Sequence, residues 1–152
     1  MPANSEIFLA CNAVLSGWRP ISDPDEFSRL VGPVLERTDG DPTRYAMITD
    51  RRHRNRNGVV HGGVLMTLAD TAVGTIARRS VKIAKAATIQ LDQHFVRRVD
   101  VGDFVEARCE IVRAARSLIF ITCLLSVRSE IVGTTSVILN YRRADADAET
   151  AG

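Results

Sequence analysis

Residues 55–70 read NRNGVVHGGVLMTLAD, and the change of rhythm inside this stretch decides the fold. Its first part continues a polar run rich in Arg and Asn, from Arg51 to Gly58, which reads as a loop. From Gly62 to about Arg79 the spacing turns helical. Leu65, Leu68, Ala69, Ala72, Val73 and Ile76 fall within one arc of a 3.6-residue wheel, a stripe made to face a core. The opposite arc carries Gly63, Thr67, Asp70 and Gly74, where a solvated helix would carry Lys, Glu and Arg. Glycine inside a helix costs roughly 1 kcal/mol relative to Ala. Such a cost is usually tolerated where another backbone or a ligand must come close.

Outward from this helix the chain reads almost entirely as strand. Downstream, residues 87–96 alternate, with Ile89, Leu91, Gln93 and Phe95 on one face and Thr88, Gln90, Asp92 and His94 on the other. Residues 104–113 set Val105, Ala107, Cys109 and Ile111 on one face. Strands over 118–128 and 131–142 follow after short turns. Upstream, 34–37 and 44–49 suggest a hairpin, punctuated by Gly32-Pro33 and Gly40. Trp18 to Pro24 reads as irregular chain, with Pro20 and Pro24 as breakers. Ile7, Cys11, Val14 and Leu15 have the spacing of a short N-terminal helix. One long helix thus has two short strands before it and four long ones after it. A sheet of that size needs one face covered and only one helix is available. The expectation is an α+β fold, an antiparallel sheet curled around a single central helix.

Two features could carry chemistry. His61-Gly62-Gly63 stands at the helix mouth, where the first N–H groups lack intrahelical partners and the macrodipole places partial positive charge. That describes an oxyanion hole for a carbonyl becoming tetrahedral, and equally a tight loop-to-helix turn. Asp70 is the only ionisable residue of the helix before Arg78, and it lies on the Gly/Thr arc rather than on a charged face. It is a candidate general base or nucleophile, its alternative being an exposed mid-helix carboxylate. His53, Asn55, Asn57 and Thr88 are polar neighbours that form no triad. There is no GxSxG elbow, no zinc-type spacing and no dinucleotide or phosphate-loop glycine pattern. No metal and no cofactor are therefore expected.

The run His53-x-Asn55-x-x-Gly58-x-x-His61-Gly62-Gly63-x-x-x-x-Leu68-Ala69-Asp70-x-Ala72-x-Gly74 resembles the signature of the phenylacetate-pathway-type, PaaI-like, hot-dog thioesterases. Gly32-Pro33 is similar to their upstream Gly-Pro strand. Phe95-Val96-Arg97-Arg98 and Gly102-Asp103 are similar to their Phe-Leu-Arg-Pro-like turn and Gly-Asp pair, with Arg98 replacing the usual proline. The likeness spans roughly residues 27–141. It implies a hot-dog fold, assembled as a homodimer at least and paired again into a homotetramer, with sites at the subunit interface. It further implies that the Gly62 N–H polarises a thioester carbonyl, with His61 shaping the turn and Gly63 beside the substrate. Asp70, from the other subunit, would activate water or attack the carbonyl directly. Asn55 matches the position that orients the water or the thioester, and Thr88 matches the hydroxyl on the following strand. The substrate implied is an acyl-CoA, with CoA part of the substrate rather than a cofactor. Arg97 and Arg98, or the cluster near Lys82 and Lys85, would take the CoA phosphates.

Two other functions are weighed beside hydrolysis. A hot-dog hydratase or dehydratase would set His61 and Asp70 together at the reacting carbons, whereas the Asn55 to Gly63 arrangement favours the thioesterase. A non-catalytic acyl-CoA-binding module is the other reading, and an intact Asp70 argues against a silent site. The 152 residues fit one domain over 29–143, preceded by an N-terminal extension over 1–28 and followed by a disordered tail over 144–152. A net charge of +2 gives no electrostatic case for nucleic acid. Cys11, Cys109 and Cys123 are odd in number and widely spaced, which suits buried thiols in a reducing compartment. With neither a signal-like N-terminus nor a membrane-spanning run, the expected location is cytoplasmic and away from the membrane.

Overall fold

The computed structural model of the chain describes residues 15–144. The expected helix on Ile7, Cys11 and Val14, and the tail from residue 145 onward, lie outside the described residues. A long helix α2, Gly62–Ser80, runs where the apolar stripe predicted it. Its buried residues are Leu65, Leu68, Ala69, Ala72, Val73, Ile76 and Ala77. Burying each Leu, Ile or Val of such a stripe contributes about 1.5–3 kcal/mol.

The stripe lies on a seven-stranded antiparallel sheet in the order β1-β2-β3-β5-β6-β7-β4. The strands are β1 Trp18–Pro20, β2 Leu35–Arg37, β3 Arg44–Ile48, β4 Ile83–Phe95, β5 Phe104–Ala114, β6 Leu118–Val127 and β7 Glu130–Arg143. Five of them, β3 to β7, touch α2, so the sheet wraps the helix without closing. Val105, Ala107 and Cys109 of β5, Ile119 to Leu125 at alternate positions of β6, and Val137, Leu139 and Tyr141 of β7 form the floor under the helix. Cys109 and Cys123 sit directly opposite each other in that floor, both buried as free thiols.

Three details depart from the periodic reading. Trp18–Pro20 is a strand, a three-residue edge paired only to β2, too short to show alternation. Its Pro20 is tolerated because an edge position needs no ladder donor. A six-residue helix α1, Glu26–Val31, follows, with Asp25 as its N-cap accepting from the Ser28 N–H at 2.8 Å. That bond holds the Asp25 carboxyl below the usual carboxylate range.

The third departure is in β4. Its pairing with β7 shifts register between Thr88 and Gln90, so Thr88 opposes the core-facing Leu139 while Leu91 opposes the core-facing Val137. A β-bulge therefore turns Thr88 to the helix side and expels Ile89, which is 58% exposed. Strict alternation groups Ile89 with Leu91 and Thr88 with Gln90; the extra residue instead sets Thr88 on the face of Leu91 and leaves Ile89 exposed. β4 is also an edge of the sheet, thirteen residues long and exposed over most of its length.

Candidate active site

The loop before α2 is a built turn rather than free chain. Residues Arg51–His53 form a short 3-10 turn, and the His53 ring is buried. His53 Nδ1 accepts from the Asp50 N–H at 2.9 Å, which leaves Nε2 to donate to the Val31 carbonyl at 2.7 Å. This ties the loop to the end of α1. Asn55 donates its N–H to the Val59 carbonyl at 2.8 Å, and its Oδ1 accepts from Asn57 N–H at 2.8 Å. The Asn55 amide NH2 is the part of that side chain left for a ligand. Arg54 bridges Val60, and the His61 N–H reaches the His53 carbonyl at 2.7 Å, so the chain enters the helix at a fixed angle.

At the mouth itself His61 is the N-cap, its Nδ1 accepting from the Gly63 N–H at 2.9 Å. The Gly63 amide is therefore engaged. Among the described residues no acceptor takes the Gly62 N–H, which stands at the positive end of a nineteen-residue helix.

Asp70 lies further along the same helix, exposed, and accepts from the Thr88 hydroxyl at 2.7 Å on Oδ1. Two open clefts, of about 820 and 460 Å³, meet at this pair. Phe27, Met66 and Leu91 line the smaller, while Arg29, Arg78 and Arg79 stand along the larger. The α1 segment, pinned by a 3.4 Å contact between the Ser28 and Thr71 hydroxyls, thus forms one wall beside Asp70. Sequence reading missed this wall. Asp25 followed by Glu26 after Pro24 is a helix-start signal, but six residues are too few for a period to show.

The structure brings Asp70 and Thr88 together, and separately gathers Asn55, His61, Gly62 and Gly63 around the helix mouth. It does not bring these two groups together within one chain. Eight residues of helix separate Gly62 from Asp70, a rise of about 12 Å and a rotation of about 80°. Arg97 and Arg98 follow β4 near the mouth and are ion-paired to Glu130 and Asp100 respectively, all four side chains well exposed. Lys82 and Lys85 lie at the opposite end of β4. At Gly74 an added Cβ would meet only Arg78 Nη1, at 3.8 Å, so nothing in this chain demands glycine there.

A single long helix wrapped by an antiparallel sheet, with a glycine mouth and a mid-helix carboxylate, is the architecture of the hot-dog class. Comparison with known proteins narrows the class. The thioesterase superfamily family model matches residues 57–134, a little over half of the chain. A Pseudomonas aeruginosa protein named as a candidate esterase is 26% identical over 129 residues, 84% of this chain and 96% of its own. Solved structures share the fold. A Streptococcus mutans protein bound to acetyl CoA superimposes at TM-score 0.62 with 17% identity, over 66% of this chain and 80% of that one. A mutant of the phenylacetic acid degradation protein PaaI from Thermus thermophilus gives 0.61 with 18% identity, over 88% and 98%. The chain belongs to the thioesterase superfamily and is a thioester hydrolase.

Proposed function

We propose that this enzyme hydrolyses acyl-CoA thioesters at a site shared between two copies of the chain. The observation that carries the reading is the division of α2: at Gly62 an amide without an acceptor among the described residues, and a carboxylate held by Thr88 about 12 Å further along. A reacting carbonyl needs its oxygen about 2.7–3.1 Å from the donor and its carbon about 3–3.5 Å from the attacking oxygen. Those reaches fall short of the rise of about 12 Å between the two backbone positions, so one chain does not readily supply both. A second copy can, if its helix runs beside the first.

The exposed β4 supports that assembly. It is a long edge strand whose open side carries unpaired backbone groups, and Ile89, Phe95 and Val96 stay 53–60% exposed along it and just after it. Pairing β4 with its symmetry mate continues the sheet by an isologous contact. The site then takes Gly62, His61 and Asn55 from one subunit, and Asp70 and Thr88 from the other. Pairing of such dimers into a tetramer is the further step of the same proposal.

In this arrangement the Gly62 N–H receives the thioester oxygen and Asp70 acts as base to water, or as nucleophile, at the carbonyl carbon. With Asp70 as base, the tetrahedral intermediate collapses with cleavage of the carbon–sulfur bond, giving the carboxylic acid and, with the proton returned from Asp70, CoA thiol. With Asp70 as nucleophile, the same cleavage leaves an acyl–Asp70 anhydride that water hydrolyses to the acid. Thr88 orients the carboxylate, and the Asn55 amide orients the water or the thioester. Arg97 and Arg98 exchange their exposed carboxylate partners, which hold them weakly, for CoA phosphates. Fold neighbours from Streptococcus mutans and Streptococcus pneumoniae carry acetyl CoA and coenzyme A, which supports the choice of thiol.

The test is thiol release over a panel of acyl-CoAs by the wild type and Asp70→Asn. Loss of the charge removes a base worth about 10²–10⁴ in rate. Release undiminished in Asp70→Asn would refute the catalytic assignment.

A further inference from the structure

Gly62 is glycine for a reason that lies on β4. A Cβ built there would stand 2.9 Å from Phe95 Cζ and 3.1 Å from Cε1. The ring of Phe95 therefore rests directly on the Gly62 Cα. Phe95 is the last residue of β4 and pairs with Gly133. The turn that follows is anchored, because the Val96 and Arg97 N–H groups both reach the Val132 carbonyl, at 2.9 and 3.2 Å. The ring is nonetheless 53% exposed in the single chain, so it covers the helix mouth from outside instead of filling the core.

On the other flank of Gly62, His61 Nδ1 holds the Gly63 N–H at 2.9 Å. The Gly62 N–H is the neighbour of that capped amide, on the residue against which the Phe95 ring packs. A hydrogen bond to developing negative charge is stronger where water is excluded and the donor is already in place.

Resting on the shared-site reading above, we propose that Phe95 is a positioning residue for hydrolysis. Its ring seats Gly62 and shields the amide that receives the thioester oxygen. It acts through Gly62 and not by exchanging protons or bonds with the substrate. The requirement for glycine at 62 then has its source in room for the ring.

The experiment follows thiol release from butyryl-CoA and phenylacetyl-CoA by wild type, Phe95→Ala, Phe95→Leu, Gly62→Ala and the double variant Gly62→Ala/Phe95→Ala, with thermal midpoints for all. Phe95→Ala is expected to lower kcat about 10- to 100-fold, as misplacement of reacting groups typically does, with KM within about threefold. Phe95→Leu, which restores an apolar wall, should recover most of kcat. Gly62→Ala pushes the ring aside, so it should cost about as much as Phe95→Ala in the wild type and little more once Phe95 is gone. Unchanged kcat in Phe95→Ala, equal losses in Phe95→Ala and Phe95→Leu, or additive effects of the two substitutions would each overturn the proposal while leaving the hydrolysis reading standing. Absence of thiol release by the wild type from both thioesters would overturn the acyl-CoA reading and this one with it.

Discussion

Under the proposed shared site, mixing two inactive variants should restore activity, because each site would take its two halves from opposite copies of the helix. Asp70→Asn removes the base and leaves the mouth intact. Gly62→Val places a branched side chain where even a Cβ lies 2.9 Å from Phe95 Cζ, and so blocks the mouth while leaving Asp70 intact. Each alone is expected at about 1% of wild-type activity or less, the lower end of what a general base contributes. In an equimolar mixture with random exchange, half of the dimers are mixed. Each mixed dimer has one site with wild-type Gly62 and wild-type Asp70, and one site with neither. The mixture should therefore recover about one quarter of wild-type activity, and mixed dimers selected by two different tags about one half. The assay is thiol release, with native mass spectrometry to show that exchange took place. The fraction does not depend on whether dimers pair further. Recovery of no more than a few per cent of wild-type activity, in a sample proven to contain mixed dimers, would show that one chain supplies both groups and would refute the 12 Å argument.

Three further expectations concern chemistry and stability. Thr88→Ala removes a hydroxyl donor that orients the proposed base, and loss of about 1.5 kcal/mol of that positioning would lower kcat about tenfold. Thr88→Ser should keep activity, and full activity in Thr88→Ala would remove Thr88 from the site. Glu36 is 1% exposed and bridges Arg19 and Arg79 from β1 and α2. Glu36→Gln should cost about 2 kcal/mol, since each partner stays partly solvated, and an unshifted urea midpoint would contradict it. Burial of Tyr45 pushes its phenol up to about 12, against the pull of Arg79. A raised value means stability is fully present below the unfolded pKa near 10 and is lost as pH rises toward about 12. Urea denaturation across that window should show the loss, and Tyr45→Phe should flatten it; a flat wild-type profile would dismiss the assignment.

Much of this molecule follows from residue order alone. The 3.6-residue stripe from Leu65 to Ile76 specified α2 and the face it buries, because a helix core stripe is a local pattern. The alternation in β5 specified its inner face, Val105, Ala107 and Cys109, for the same reason. The His61-Gly62-Gly63 mouth and Asp70 could be named as candidates because both depend on one helix and its ends. Short elements escaped: β1 and α1 are three and six residues long, below the length at which a period can be read.

What the tertiary structure decided concerns places where the period breaks or two distant segments meet. The bulge in β4 is invisible to an alternation rule, yet it alone turns Thr88 toward Asp70. The seat of Phe95 on Gly62 joins the end of a strand to the start of a helix 33 positions earlier, a contact no local rule encodes. Residue order named Gly62 and Asp70 as members of one site. Along the helix they share they lie eight residues apart, a rise of about 12 Å, which is the ground for proposing that a second copy completes the site.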